Sequence, residues 1–127
     1  MTFFEEGLSP IHYEVAEIGL APQIGDRHPS GMKLSSDQVG KKIEALKGWM
    51  VDGEAIRKQY TFDGFASAVA FVVRIGFDAE AADHHPDILL SNYKKVTLTF
   101  STHSEGGLTE RDFAGAEAAD RVFERNA

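Results

Sequence analysis

The 127-residue chain contains no cysteine. That removes disulfides, thiolate nucleophiles and cysteine-based zinc sites, and leaves only a mild lean toward a cytoplasmic compartment. No window approaches the ~18 apolar residues of a membrane-spanning helix. The opening MTFFEEGLSP lacks the basic start of a secretory signal. A soluble, unexported protein is expected. Positive charge is scarce as well, with 13 Lys and Arg against 20 Asp and Glu and a net charge of -7. Adjacent lysines occur only at Lys41–Lys42 and Lys94–Lys95. Such a surface repels a phosphate backbone, so direct nucleic-acid binding is not expected. Proline is rare and uneven: three of the four prolines precede residue 32. Internal repeats and low-complexity runs are lacking too.

What is present suits one globular domain. The chain is 43% hydrophobic and 26% charged, and a chain of this size buries roughly two thirds of its unfolded surface. Residues 1–31 read as an N-terminal arm that ends in the punctuation GDRHPSG, and residues 32–127 as the domain. Within the arm, IHYEV at 11–15 alternates apolar and polar and reads as a strand able to add to a sheet edge or to a neighbouring subunit. From Leu34 the pattern becomes regular. Ser35 and Gln38 form a capping box ahead of Val39, Ile43 and Leu46 at helical spacing, with Gly48 as a stop. Trp49 to Val51, the turn VDGE and Ala55 to Phe62 read as a hairpin with Ile56, Tyr60 and Phe62 on one face, a parity that Lys58 interrupts.

Phe65, Ala68, Val72, Ile75 and Ala79 then make the strongest helical stripe. Pro86 ends helical geometry at the residue before it. Ile88 to Leu90 and Lys95 to Thr102 read as a second strand pair, with Val96, Leu98 and Phe100 facing one way and Thr97, Thr99 and Ser101 the other. A last helix starts at Thr109, with Leu108 and Phe113 placed as a hydrophobic staple and Ala116, Ala119 and Phe123 continuing its apolar side. The order is helix, two strands, helix, two strands, helix. Short connections make neighbouring strands antiparallel, so the expected fold is α+β: one four-stranded antiparallel sheet with helices on one face.

Three of the five histidines fall between residues 82 and 103. Read together, Glu80, His84-His85-Pro86, Tyr93, Ser101-Thr102-His103, GGLTERD at 106–112 and Gly48-Trp49 resemble the pterin-4a-carbinolamine dehydratases. The resemblance runs from Leu34 to Phe123 and rests on spacing: Glu80 to His84, Tyr93 to His103 and His103 to Asp112 all fit the family pattern. One step departs from it, since six residues separate Pro86 from Tyr93 where the family has five. The turn around Ser91 and Asn92 is where an extra residue disturbs least; inside a paired strand it would demand a bulge. The resemblance implies loss of water from a 4a-hydroxytetrahydropterin to give a quinonoid dihydropterin, in tetrahydropterin recycling, with no metal or redox cofactor. Imidazole suits both proton transfers, because its ordinary pKa of ~6.5 keeps acid and base forms available near neutrality.

By resemblance, His84 and His103 are acids toward the hydroxyl on the two faces of the pterin, and His85 binds the ring and takes the nitrogen proton. Glu80, a turn before His84, is placed to orient an imidazole. Asp112 is assigned the same task for His103, or the pterin amino hydrogens. Asp83, the backbone of Ser101 and Thr102, and Trp49 as a flat wall complete the implied site. Homodimers or homotetramers are implied too, made by joining sheet edges or by packing the central helix on its copy, with Phe65, Phe71, Val72 and Ile75 as candidate contacts.

Plainer readings stand beside these. His84 and His85 cap a helix end; Asp112 serves only its own helix start; Trp49 is core; Glu80 is solvated; Tyr93 packs or anchors a turn; His12 and His28 are surface residues. Three histidines binding a metal is disfavoured by their spacing. By alternation His103 falls on the polar parity, so the site is expected at the polar side or a strand end of the sheet. The competing function is a dehydratase-like binding module, a dimerisation cofactor or assembly factor with little catalysis, which retention of His84, His85, His103 and Asp112 argues against. Another heterocyclic carbinolamine as substrate is not separable from the first reading by sequence.

Overall fold

The computed structural model describes residues 32–125. The arm and its expected strand at 11–15 lie outside the described residues. The elements follow in the expected order: α1 (Ser36–Glu44), β1 (Met50–Asp52), β2 (Ala55–Thr61), α2 (Phe65–Ala82), β3 (Asp87–Ser91), β4 (Lys95–Phe100), a short 3-10 turn (His103–Glu105) and α3 (Glu110–Arg125). The four strands form one antiparallel sheet in the order β1-β2-β4-β3. Among the described residues no helix is long and apolar enough to cross a membrane.

Alternation decides which face of the sheet the helices cover. Cross-strand partners share a side of the pleat, and the ladder pairs Tyr60 with Val96, Lys58 with Leu98 and Ile56 with Phe100 on one face. Ile56, Val96 and Leu98 are fully buried there; each such side chain contributes about 1.5–3 kcal/mol of hydrophobic stabilisation. Arg57, Gln59 and Thr61, one residue out of phase, are exposed on the other face. Lys58 is therefore on the core face despite its charge. Its stem runs over Gly48, where a Cβ would lie 2.9 Å from Lys58 Cε, and its ammonium donates to Lys47 O (3.0 Å) and to Asp120 (2.9 Å). Gly48 also has φ +86°, the left-handed turn that glycine makes at no steric cost and that starts the chain toward Trp49.

The capping box forms as expected: Ser35 Oγ accepts from Gln38 N, and Gln38 Oε1 from Ser35 N. In α2 the buried residues are Ala68, Phe71 and Ile75. Phe65, assigned to the core stripe from its spacing, is instead 58% exposed, and with Val69, Val73 and Phe77 it forms a second apolar stripe at four-residue intervals that faces outward. The β3–β4 ladder runs without a bulge from Asp87↔Thr99 to Ser91↔Lys95. The extra residue ahead of Tyr93 is thus taken up in the hairpin tip, where Asn92 and Tyr93 both have positive φ. Tyr93 is 55% exposed there, at the opposite end of β3 from the histidines.

Candidate active site

The end of α2 positions the first histidine. Asp83 adopts φ 52°, ψ 43°, and its N–H donates back to Glu80 O while His84 N donates to Ala79 O. These two crossed bonds around a left-handed residue satisfy the last free carbonyls of the helix. Aspartate tolerates that conformation better than most residues, and Pro86 prevents any further turn. The chain consequently leaves the helix with His84 turned back toward the core and His85 outward. His84 is 11% exposed at the side chain and His85 57%.

His84 Nε2 lies 2.6 Å from Asp112 Oδ1. Asp112 has no exposed surface, and its second oxygen accepts from Thr102 Oγ1 (2.8 Å) and Thr109 N (2.9 Å). Thr102 and Thr109 share a further hydrogen bond of 2.9 Å. That carboxylate engages Nε2 of His84, which leaves Nδ1 as the ring nitrogen able to face a ligand. The ring of Phe100 lies almost parallel to that of His84, with centroids 6.1 Å apart and planes 19° apart. Gly115 makes room for Phe100, since a Cβ there would sit 2.5 Å from Phe100 Cε1. Arg111 donates to the carbonyls of Ala82 and Asp83, so successive residues of α3 hold the backbone and the imidazole at the end of α2.

His85 Nε2 meets Glu80 Oε1 at 3.0 Å in an exposed pair. Glu80 thus meets an imidazole, that of His85, while Asp112 meets His84 where the sequence pointed to His103 or the pterin amino hydrogens. The reason is geometric, because the left-handed residue at 83 swings His84 away from the helix face that Glu80 occupies. His103 opens the 3-10 turn at the end of β4 and is exposed; its ring has no hydrogen-bond or ion-pair partner among the described residues. Thr102, beside it, is buried, and its carbonyl is engaged by Glu105 N (3.0 Å) and Gly107 N (3.4 Å). Ser101 is half-buried. Asp112 bonds both His84 and Thr102, which brings the end of α2 and the segment after β4 to one carboxylate. His103 follows directly on Thr102, beyond the end of β4, the kind of strand-end position that its parity suggested. Among the described residues no group of three or more histidine, aspartate and glutamate side chains is placed to hold a metal ion.

Trp49 is 6% exposed and lies in the core. It packs on Phe100 (centroids 6.0 Å) and donates its indole N–H to Asp120 (3.1 Å). Asp120 also accepts from Tyr60 OH. Burial, together with the hydrogen bond and charge of Asp120 and the charge of Glu124, pushes the Tyr60 phenol well above its ordinary pKa. Beside His84 a groove of about 1070 Å³ runs between α2 and α3, with Pro86, Phe100 and Arg111 at the His84 end.

The family model described as pterin 4 alpha carbinolamine dehydratase matches residues 32–122. The chain belongs to that family. Relatives bearing the dehydratase name include one from Roseiflexus sp. (strain RS-1), 44% identical over 72% of this chain and 97% of its own length. One from Sulfolobus acidocaldarius is 36% identical over 72% of this chain and 99% of its own. The crystal structure of a transcriptional coactivator/pterin dehydratase from Brucella melitensis is 36% identical, with a TM-score of 0.67 over 71% of this chain and 97% of that one. Within this dehydratase fold the residues that sequence reasoning missed are Phe100, Thr109 and Arg111. Phe100 was indistinguishable from any core residue of β4. Thr109 and Asp112 are spaced as cap and third helical residue; Asp112, pointed by the sequence to His103 or the pterin amino hydrogens with capping as the plainer reading, both caps α3 and holds His84.

Proposed function

We propose that the protein eliminates water from 4a-hydroxytetrahydropterin, giving quinonoid dihydropterin by histidine acid and base catalysis in tetrahydropterin recycling. The observation that carries this reading is the imidazole of His84, fixed at Nε2 by a fully buried carboxylate and therefore able to present Nδ1 to a ligand. In the proposed step the C4a–O bond breaks with a proton delivered to the leaving oxygen, a ring N–H loses its proton, and a C=N bond forms. His84, carrying a proton on Nδ1 while its Nε2–H donates to Asp112, and His103 serve as the acids toward the hydroxyl. His85, held by Glu80, binds the ring and accepts the nitrogen proton. Asp112 positions His84, and Thr102 acts through Asp112. Asp83, Ser101 and Trp49 keep lesser parts, as the helix-ending turn, a strand-end contact and a support behind Phe100.

The test is the dehydration of freshly made 4a-hydroxytetrahydropterin. The protein is expected to accelerate it over buffer, and His84→Ala or His103→Ala to lower the rate at least tenfold, within the ~10²–10⁴-fold range of general acid catalysis. A rate equal to buffer overturns the assignment. In that case the binding-module reading takes its place, as a protein that works through its exposed helix face.

The reading includes self-association. The outward stripe Phe65, Val69, Val73 and Phe77 and the exposed Ile88 and Leu89 on edge strand β3 are apolar surfaces of the kind that a second copy covers.

A further inference from the structure

We propose that the groove between α2 and α3 is the seat of this chain's own residues 1–31. The groove lining carries six basic side chains (Lys41, Lys42, Arg74, Arg111, Arg121, Arg125) against three acidic ones, on a chain whose net charge is -7. Three of the six are already engaged: Lys42 with Glu110 (2.8 Å), Arg74 with Asp78 (3.3 Å) and Arg111 with backbone carbonyls. Lys41, Arg121 and Arg125 have no hydrogen-bond or ion-pair partner among the described residues. Between the cations the walls are apolar and mostly small, with Ile75, Ala79, Phe100 and Ala118. The groove therefore suits a ligand that is both acidic and apolar.

Residues 1–31 have that composition. They carry five acidic residues and one arginine, among large apolar residues that include Phe3, Phe4, Leu8, Ile11, Val15 and Leu20. Their point of attachment is also suitable. Leu34 N donates to Leu108 O (2.8 Å), and the Lys33 stem lies against Gly107, so the segment joins the domain close to the start of α3, where Glu110 lines the groove. Length is no obstacle: 31 residues reach up to ~100 Å, and the 16-residue α3 is ~24 Å long. The β3 edge, the other seat open to residues 11–15, offers backbone partners but brings cations only at its hairpin end, with Lys94 and Lys95. The segment lies outside the family match, and the Roseiflexus relative is covered over 97% of its length without it.

Because the chain has no cysteine, one introduced cysteine carries a spin label cleanly on the full-length protein. Labels at Ala118→Cys in the groove wall and at Lys41→Cys on its exposed rim are expected to broaden the amide signals of residues 1–31. A label at Leu89→Cys on the β3 edge is expected to leave them sharp. Arg121→Glu combined with Arg125→Glu is expected to recover intensity lost to the groove labels, as is raised salt. Lys41→Cys gives the same reading if Ala118→Cys fails to fold. Sharp signals with both groove labels would overturn the proposal. So would broadening from position 89, or broadening seen only between spin-labelled and isotope-labelled copies in a mixed sample.

Discussion

Tyr60, which donates to Asp120, makes a pH prediction whose sign can be worked out. The phenol is held protonated by burial and by the carboxylate it donates to. In the unfolded chain it ionises at ~10. Above that pH the folded state binds a proton that the unfolded state has released. The contribution of this group to stability is then full below ~10 and is lost as pH rises further. Phenolate absorbance measured against pH is expected to miss one of the three tyrosines until the protein unfolds. Tyr60→Phe is expected to abolish the late step. None of this was legible in the sequence, where Tyr60 was one apolar residue of a strand and Asp120 an ordinary helix charge. For the histidines the residue types were legible and the partners were not, because a single left-handed residue, Asp83, decides which carboxylate each imidazole meets.

Elements were the most legible scale. The capping box, the alternation of β4 and the proline stop each depend on residues close in sequence, and each appears where it was expected. On α2 the stripe holds at Ala68, Val72 and Ile75 and fails at Phe65, because apolar residues occupy two faces of that helix and periodicity does not say which one a sheet covers. How closely α3 approaches β4 was also invisible, since it rests on Gly115. Gly115→Ala would drive a methyl into Phe100, whose ring already fills the space between Trp49 and His84. Overpacking of this kind costs about 1–3 kcal/mol, against the ~1 kcal/mol that alanine gains over glycine in a helix. The expected outcome is a lower Tm in a thermal melt and, on the proposed function, a dehydration rate reduced further than stability alone accounts for.

For the whole molecule, the outward stripe of α2 is the feature whose consequence extends past the subunit. Phe77 is 60% exposed and Val73 52%; on the proposed self-association, replacing both with glutamate is expected to leave the fold intact while reducing the mass found by light scattering to that of one chain. An unchanged mass would move the contact to the β3 edge. The chain also carries an optical gauge of its own state. Trp49 is its single tryptophan, with one edge tied to a carboxylate and one face against the ring that backs His84. Fluorescence from this indole should therefore redden when the core loosens and change in intensity when a heterocycle settles against the far side of Phe100, reporting folding and occupancy from one native probe.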